Sequence, residues 1–191
     1  KNKASFKIKG AVIDARKVMC LIMAAELGMN TIYCLVMNGS VNRDSYMKYY
    51  SDNRLIREKY EPEDTFYRME MDKIQGRDDI TRYHMNGISF FSSTCDDRME
   101  EQMGAIGYYK AGNKYTYKGS TPLTDAITGI KYVIGNGDIS DPGSNLFKID
   151  TVGSQTVYEN LLPLSVGFMI DENIREWQMI DEEPFVMQND F

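Results

Sequence analysis

The chain has 191 residues, 42% of them hydrophobic and 26% charged, with a formal net charge of −6; this is the composition of a folded protein with a sizeable core, not of a disordered or collagen-like one. The charge is uneven: residues 1–37 hold six basic and two acidic side chains, so residues 38–191 carry a net charge of −10. An acidic body without a basic stripe argues against nucleic acid as a partner, and three cysteines without CxxC spacing plus one histidine, His84, argue against a disulfide framework, a metal site or a metal cofactor.

In chain order, Lys1 to Lys17 alternates basic with small or apolar residues, either as a solvated end or as the cytoplasmic flank of a membrane span. Val18 to Met37, VMCLIMAAELGMNTIYCLVM, has no proline and no lysine or arginine. As a helix it is about 30 Å long, the thickness of a bilayer's hydrocarbon core. Cys20 and Cys34 are then about 21 Å apart along the axis and cannot bridge. Glu26 and Asn30 are spaced i, i+4 on one helix face, so in a membrane they are intramembrane polar groups that need other helices or a polar cavity. The same run also reads as the core helix of a soluble protein, and length and periodicity leave both readings open.

Asn38-Gly39-Ser40 stops this helix. Val41 to Tyr60 is polar and helix-compatible, with a partial apolar face of Tyr46, Tyr49, Tyr50, Leu55 and Ile56. Phe66 to Asp72 alternates like a half-buried strand, Gln75 to Asp79 forms a turn, and Asn86-Gly87 marks another. Ser93 or Thr94 can cap a helix over DDRMEEQMGAIGYY, closed by Gly107 and followed by a loop, AGNKYTYKGS. Thr121-Pro122 opens a short helix that ends at Gly129, and Ile130 to Ile134 is a strand. Gly135 to Asn145 is a loop of ordinary turn chemistry. Leu146 to Val152 and Gln155 to Glu159 flank Gly153-Ser154 as a β-hairpin. Leu164 to Ile170 reads as another strand, and Asp171 can cap a short helix to Trp177. The fold class is α+β: a long apolar lead helix with the length of a transmembrane span, then short helices among mostly antiparallel strands. The division falls between residues 1–37 and 38–191.

Motifs with built-in chemistry are missing. There is no phosphate-binding glycine loop, no nucleophile elbow and no HExxH pair, and a triad would have to pass through His84 alone. The adjacent acids, such as Asp96-Asp97 and Glu100-Glu101, read as solvated faces.

Four separated stretches carry a family resemblance: NGISFFSST (Asn86 to Thr94), GSTPLTDAITGIKYVIG (Gly119 to Gly135), VYENLLPLSVGFMIDENI (Val157 to Ile174) and PFVMQNDF (Pro184 to Phe191). Their order and spacing resemble the extracytoplasmic part of the YfhO family of bacterial polytopic membrane proteins, and AAELGMN (Ala24 to Asn30) looks like that family's last helix before this domain. The resemblance implies a protein similar to GT-C-type glycosyltransferases. Such enzymes take sugar from an undecaprenyl-phosphate carrier to a cell-surface polymer such as teichoic acid. Their catalytic acid is expected in an early loop outside this chain, so no residue here is assigned as catalytic. The partners implied are the bilayer, other membrane helices, a lipid-linked sugar and the polymer. With the family's order, the lead helix reads as a span, with residues 38–191 outside the cytoplasm. Lys1 in place of an initiator Met, and a tail that stops inside a matching stretch, read as a piece of a longer protein.

If a sugar site exists, it is expected where the Asn86-Gly87 and Gly119-Ser120 loops meet. Asn86, Ser89, Ser92, Ser120 and Thr121 would hydrogen-bond there, and Tyr83 or Tyr132 would offer a stacking face. The same residues also read as turn and cap signatures of the fold alone. Two other functional classes stand beside the enzyme: a non-catalytic binding or scaffolding module of a membrane complex, and a free-standing soluble α+β domain.

Overall fold

The computed structural model of the chain describes residues 5–8, 11–61, 65–137, 139, 145–176 and 183–190. Two compact units divide it, residues 1–43 and 44–191. In the first, strands β1 (Ser5–Ile8) and β2 (Ala11–Asp14) pair antiparallel, Ser5 opposite Asp14. The alternating N-terminal segment is thus a hairpin over these residues and not simply a frayed end. The lead helix α1 runs Ala15–Met37, 23 residues. It starts before the apolar run because the Asp14 carboxylate caps it, accepting the Arg16 N–H at 3.0 Å. It closes where Asn38 donates its N–H to the Cys34 carbonyl at 3.0 Å. No residue of α1 is buried, and its large apolar side chains from Met19 to Met37 are exposed. The soluble-core reading is corrected here: a core helix hides one face, and this one hides none.

In the second unit, helix α2 (Arg43–Tyr60) buries Tyr49, Asp52, Asn53 and Ile56. Strand β3 (Arg68–Met71), helix α3 (Asp79–Arg82), strand β4 (Phe90–Phe91), helix α4 (Asp97–Ala105), strands β5 (Tyr109–Lys110) and β6 (Lys114–Thr116) and helix α5 (Pro122–Ile127) follow. Strands β7 (Ile130–Gly135), β8 (Leu146–Val152) and β9 (Gln155–Asn160), a 3₁₀ turn (Glu172–Glu176) and helix α6 (Pro184–Asp190) complete it. The main sheet has the order β3-β7-β9-β8, parallel between β3 and β7 and antiparallel elsewhere; a small sheet has the order β4-β6-β5.

The register explains the layering. Met71 lies opposite Ile134, which lies opposite Val157, and these residues share a cluster with Tyr49 and Ile56 of α2. One residue along, Glu70 lies opposite Val133, which lies opposite Tyr158. Val133 and Tyr158 belong to a second cluster with Tyr108 and Tyr117 of the small-sheet layer. The sheet is therefore covered on both faces. The half-buried strand expected at Phe66 to Asp72 is corrected: Met69, Glu70 and Met71 are all buried. Asp52 on α2 holds the hairpin turn after β8 by accepting the Ser154 N–H at 2.9 Å and its hydroxyl at 3.0 Å.

Other expectations shift with tertiary context. Asp96, not Ser93 or Thr94, caps α4, accepting the Arg98 N–H at 2.9 Å. The expected loop 111–120 contains β6, because Tyr115 and Thr116 find partners on β4 and β5. Residues 75–79 include the start of α3. Leu164 to Ile170 is not a strand: no sheet edge meets it, its residues are exposed, and Met169 is 100% exposed. Asp171 does cap the turn that follows, accepting the Asn173 N–H at 2.9 Å, while Trp177 and, in the expected loop 135–145, residues 138 and 140–144 lie outside the described residues.

Ile56→Ala should lower the unfolding free energy of the detergent-solubilised protein by about 2–5 kcal/mol, as for a fully buried residue. Met169→Ala should change it by less than about 0.5 kcal/mol. Equal costs in denaturant titrations would contradict this layering.

Candidate functional site

The centre of the second unit is a carboxylate where the sheet would ordinarily bury an apolar side chain. Glu70 is 0% exposed. Its Oε1 accepts the backbone N–H groups of Ile88 and, at 2.7 Å, Ser89. Its Oε2 accepts the Ser89 hydroxyl at 2.9 Å and the Met71 N–H at 3.3 Å. Gly87 makes this approach feasible, since a Cβ there would stand 2.6 Å from Oε1. Burial pushes the Glu70 carboxyl up, and the donated hydrogen bonds oppose that shift.

The network continues outward. Ser89 Oγ accepts the Tyr117 N–H at 3.0 Å, and the Tyr117 hydroxyl donates to Asp125 Oδ2 at 2.9 Å. Asp125 sits on the first turn of α5, which Thr121 and Thr124 open with a reciprocal capping box. Asp125 is 5% exposed, and its second oxygen, Oδ1, has no hydrogen-bond partner among the described residues. Burial first, and then the charge of Glu70, push its carboxyl up to about 7, with Tyr117 and Ser120 pulling the other way. Asp125 lines a cavity of about 230 Å³ with Ser120, Asp72 and Asn160 on polar walls and Val133 and Leu146 among the apolar ones. A buried carboxyl raised this far, with one oxygen unpartnered, can exchange a proton closer to neutral pH than an exposed aspartate does.

The four stretches quoted above meet here. Asn86 to Thr94 supplies Ser89, and Gly119 to Gly135 supplies Ser120, Thr121 and Asp125. Val157 to Ile174 supplies Asn160, whose Nδ2 donates to the Ile130 carbonyl at 2.9 Å and whose Oδ1 accepts the Leu162 N–H at 3.0 Å. From α6, Gln188 accepts the Thr121 hydroxyl at 2.7 Å and donates to the Ile106 carbonyl at 2.8 Å, beside the buried Met187.

Of the residues singled out from sequence, Ser120 and Thr121 line the cavity. Ser89 lies one layer behind, against Glu70. Asn86 is exposed and uses its carbonyl to accept the Met69 N–H at 2.8 Å. Ser92 bonds locally to Thr94 at 3.0 Å. Tyr83 and Tyr132 are 2% and 8% exposed. The stacking role for them is corrected on that ground: Tyr83 packs on Tyr49 and Tyr50, Tyr132 on Tyr60 and Tyr67, and neither offers an open face. Glu26 and Asn30 are both exposed on α1. Sequence reasoning passed over Glu70, Tyr117, Asp125, Asn160 and Gln188. A signal was available in LTDAITGI, where Asp125 is a lone charge among apolar and small residues.

An α+β unit with an acidic-walled cavity, in one chain with a long apolar helix that buries nothing, defines a membrane-attached domain protein. The sequence profile of the family described as bacterial membrane protein YfhO matches residues 13–191. The chain belongs to that family, and it is a membrane protein with α1 as its candidate membrane helix. No curated protein and no solved structure matches it.

Ser89→Ala removes a donor to Glu70 and an acceptor for the Tyr117 N–H, and should cost about 1–3 kcal/mol in equilibrium unfolding. The raised Asp125 carboxyl gives a second expectation. The folded state holds a proton there that the unfolded chain, with a carboxyl near the usual ~3.9, has already released. Its contribution to stability is therefore full below about pH 4 and is lost as pH rises through about 7. Between pH 5.5 and pH 8 the wild type should lose more melting temperature than Asp125→Asn, measured by scanning calorimetry in detergent. An identical loss in both would remove Asp125 as the titrating group.

Proposed function

We propose that this chain belongs to a polytopic membrane protein of glycosyltransferase type. In this reading the whole protein moves a sugar from an undecaprenyl-phosphate carrier to a cell-surface polymer such as teichoic acid. Residues 38–191 form its extracytoplasmic, acceptor-side domain. The observation that carries the reading is the cavity at Asp125. It is smaller than the roughly 300–1,000 Å³ typical of drug-sized ligands, and it suits one small polar unit of a polymer. Membership in the YfhO family and the basic residues before α1 support the membrane context and the outward orientation. The residues of this chain then bind and orient, while the catalytic acid comes from elsewhere in the protein. Glu26 and Asn30 meet polar groups of neighbouring membrane helices.

A second reading, a scaffolding module of a membrane complex, is favoured by one observation. Residues 161–170 carry no charge, and Leu161, Leu162, Val166 and Met169 are exposed, as at surfaces that bind other proteins.

Orientation is testable through Cys95, a free and partly exposed thiol. In a Cys20→Ser/Cys34→Ser background, a membrane-impermeant maleimide should label Cys95 in intact spheroplasts. Labelling only after lysis would refute the outward orientation. Transfer is tested separately, by following a radiolabelled sugar from the lipid carrier to the polymer in membranes containing the protein. On the enzyme reading Asp125→Asn raises the acceptor KM with little change in kcat; on the scaffolding reading it leaves both unchanged.

A further inference from the structure

We infer that residues 161–170, with the apolar groove they border, rest on the lipid bilayer at the boundary between headgroups and acyl chains. This needs only the membrane location of the chain. It holds whichever way residues 38–191 face, and whether or not sugar is transferred.

The stretch LLPLSVGFMI holds seven large apolar side chains and no charge. All seven are exposed, Met169 completely. Single exposed apolar residues are ordinary, but an uninterrupted run of them marks a surface that something covers. The run is not a loose strand of chain. The Leu162 N–H donates to Asn160 Oδ1 at 3.0 Å, and the Leu164 N–H donates to the Ala126 carbonyl at 3.0 Å. Gly129, at φ +67°, lets it approach, since a Cβ there would stand 3.1 Å from the Leu164 carbonyl oxygen. The end of β9 and the last turn of α5 thus hold the run with its side chains outward.

Val166 carries this surface further. It lines a groove of about 420 Å³ with Ile88, Met99, Met103 and Ile127. Among the described residues Arg68 is the one charged side chain in that lining. A guanidinium beside adaptable apolar side chains suits a molecule with phosphate at one end and hydrocarbon at the other.

Reach and composition decide between lipid and a protein partner. The chain belongs to a membrane family, with α1 as its candidate membrane helix. Along the chain only the five residues Asn38 to Asn42 separate α1 from α2. Extended, they span at most about 18 Å. The bilayer is therefore tied to this domain at high effective concentration, whereas a protein partner must arrive from solution. Protein-binding hot spots are also rich in Trp, Tyr and Arg, and the run contains none of them. Depth follows from the backbone. Residues 161–170 form neither helix nor strand, and irregular backbone is not tolerated facing lipid in the hydrocarbon core. The side chains dip in while the backbone stays among the headgroups. Asp171 and Glu172 follow at once, so the attraction is apolar and needs no anionic lipid.

The test uses the full chain in phosphatidylcholine nanodiscs, in a Cys20→Ser/Cys34→Ser/Cys95→Ser background. Met169→Cys carries an environment-sensitive fluorophore. Its emission should shift to the blue of the same dye in water. Lipids with a nitroxide high on the acyl chain should quench it more than lipids with one at the chain end, because an interfacial contact lies about 5–10 Å deep. Adding Leu162→Asp/Val166→Asp should abolish both the quenching and the shift. Both positions are exposed, so the melting temperature should hold. The depth measurement stands even if the aspartate variant fails to fold. Four results would each overturn the inference: no quenching by either lipid, stronger quenching from the chain end, quenching only when anionic lipid is added, or quenching that survives the two aspartates in a folded protein. A blue shift without lipid quenching would also overturn it and assign the surface to a protein partner.

Discussion

A buried carboxylate held by backbone N–H groups organises this domain. Taking Glu70 out of water costs several kcal/mol unless its oxygens are well supplied with donors. Ile88, Ser89 and Met71 supply them, and that demand fixes where the loop after α3 must lie. The loop in turn presents Ser89 to Tyr117, and Tyr117 reaches Asp125. One electrostatic requirement on β3 is thus relayed by hydrogen bonds to the wall of the cavity. The relay also couples the two acids, since the charge of Glu70 helps to push Asp125 up.

The arrangement separates two uses of buried acid. Glu70 has every oxygen satisfied and is closed off from solvent, which suits a structural carboxylate. Asp125 has one oxygen held by Tyr117 and one buried without a hydrogen-bond partner among the described residues, beside a cavity that the residue lines. The difference lies in the number of donors within reach, not in burial, which is nearly complete for both.

Much of the element order was legible along the chain. Thr121-Pro122 ahead of an apolar run marked α5, Gly153-Ser154 marked the hairpin, and the length and composition of 18–37 marked α1, because caps, turns and periodicity are local properties. Errors fell where a segment's state depends on a partner far away. LSVGFMI has a strand's composition but meets no sheet edge. KYT looks like loop and is a strand because β4 and β5 flank it. Tyr83 and Tyr132 looked like candidate stacking faces until the core closed around them.

What the sequence determined by itself was the division of labour: an apolar helix with an acidic α+β body, four stretches marking the family, and the caps at Thr121 and Asp171. Only tertiary structure decided which acids matter. Among 28 acidic residues, nothing local distinguishes Glu70 from a solvated face, and Asp125 stands out only as a lone charge in LTDAITGI. The distinction arises when β3 is covered on both sides and α5 closes over the second face, because burial and hydrogen-bond supply are properties of the packed chain and not of any stretch of it.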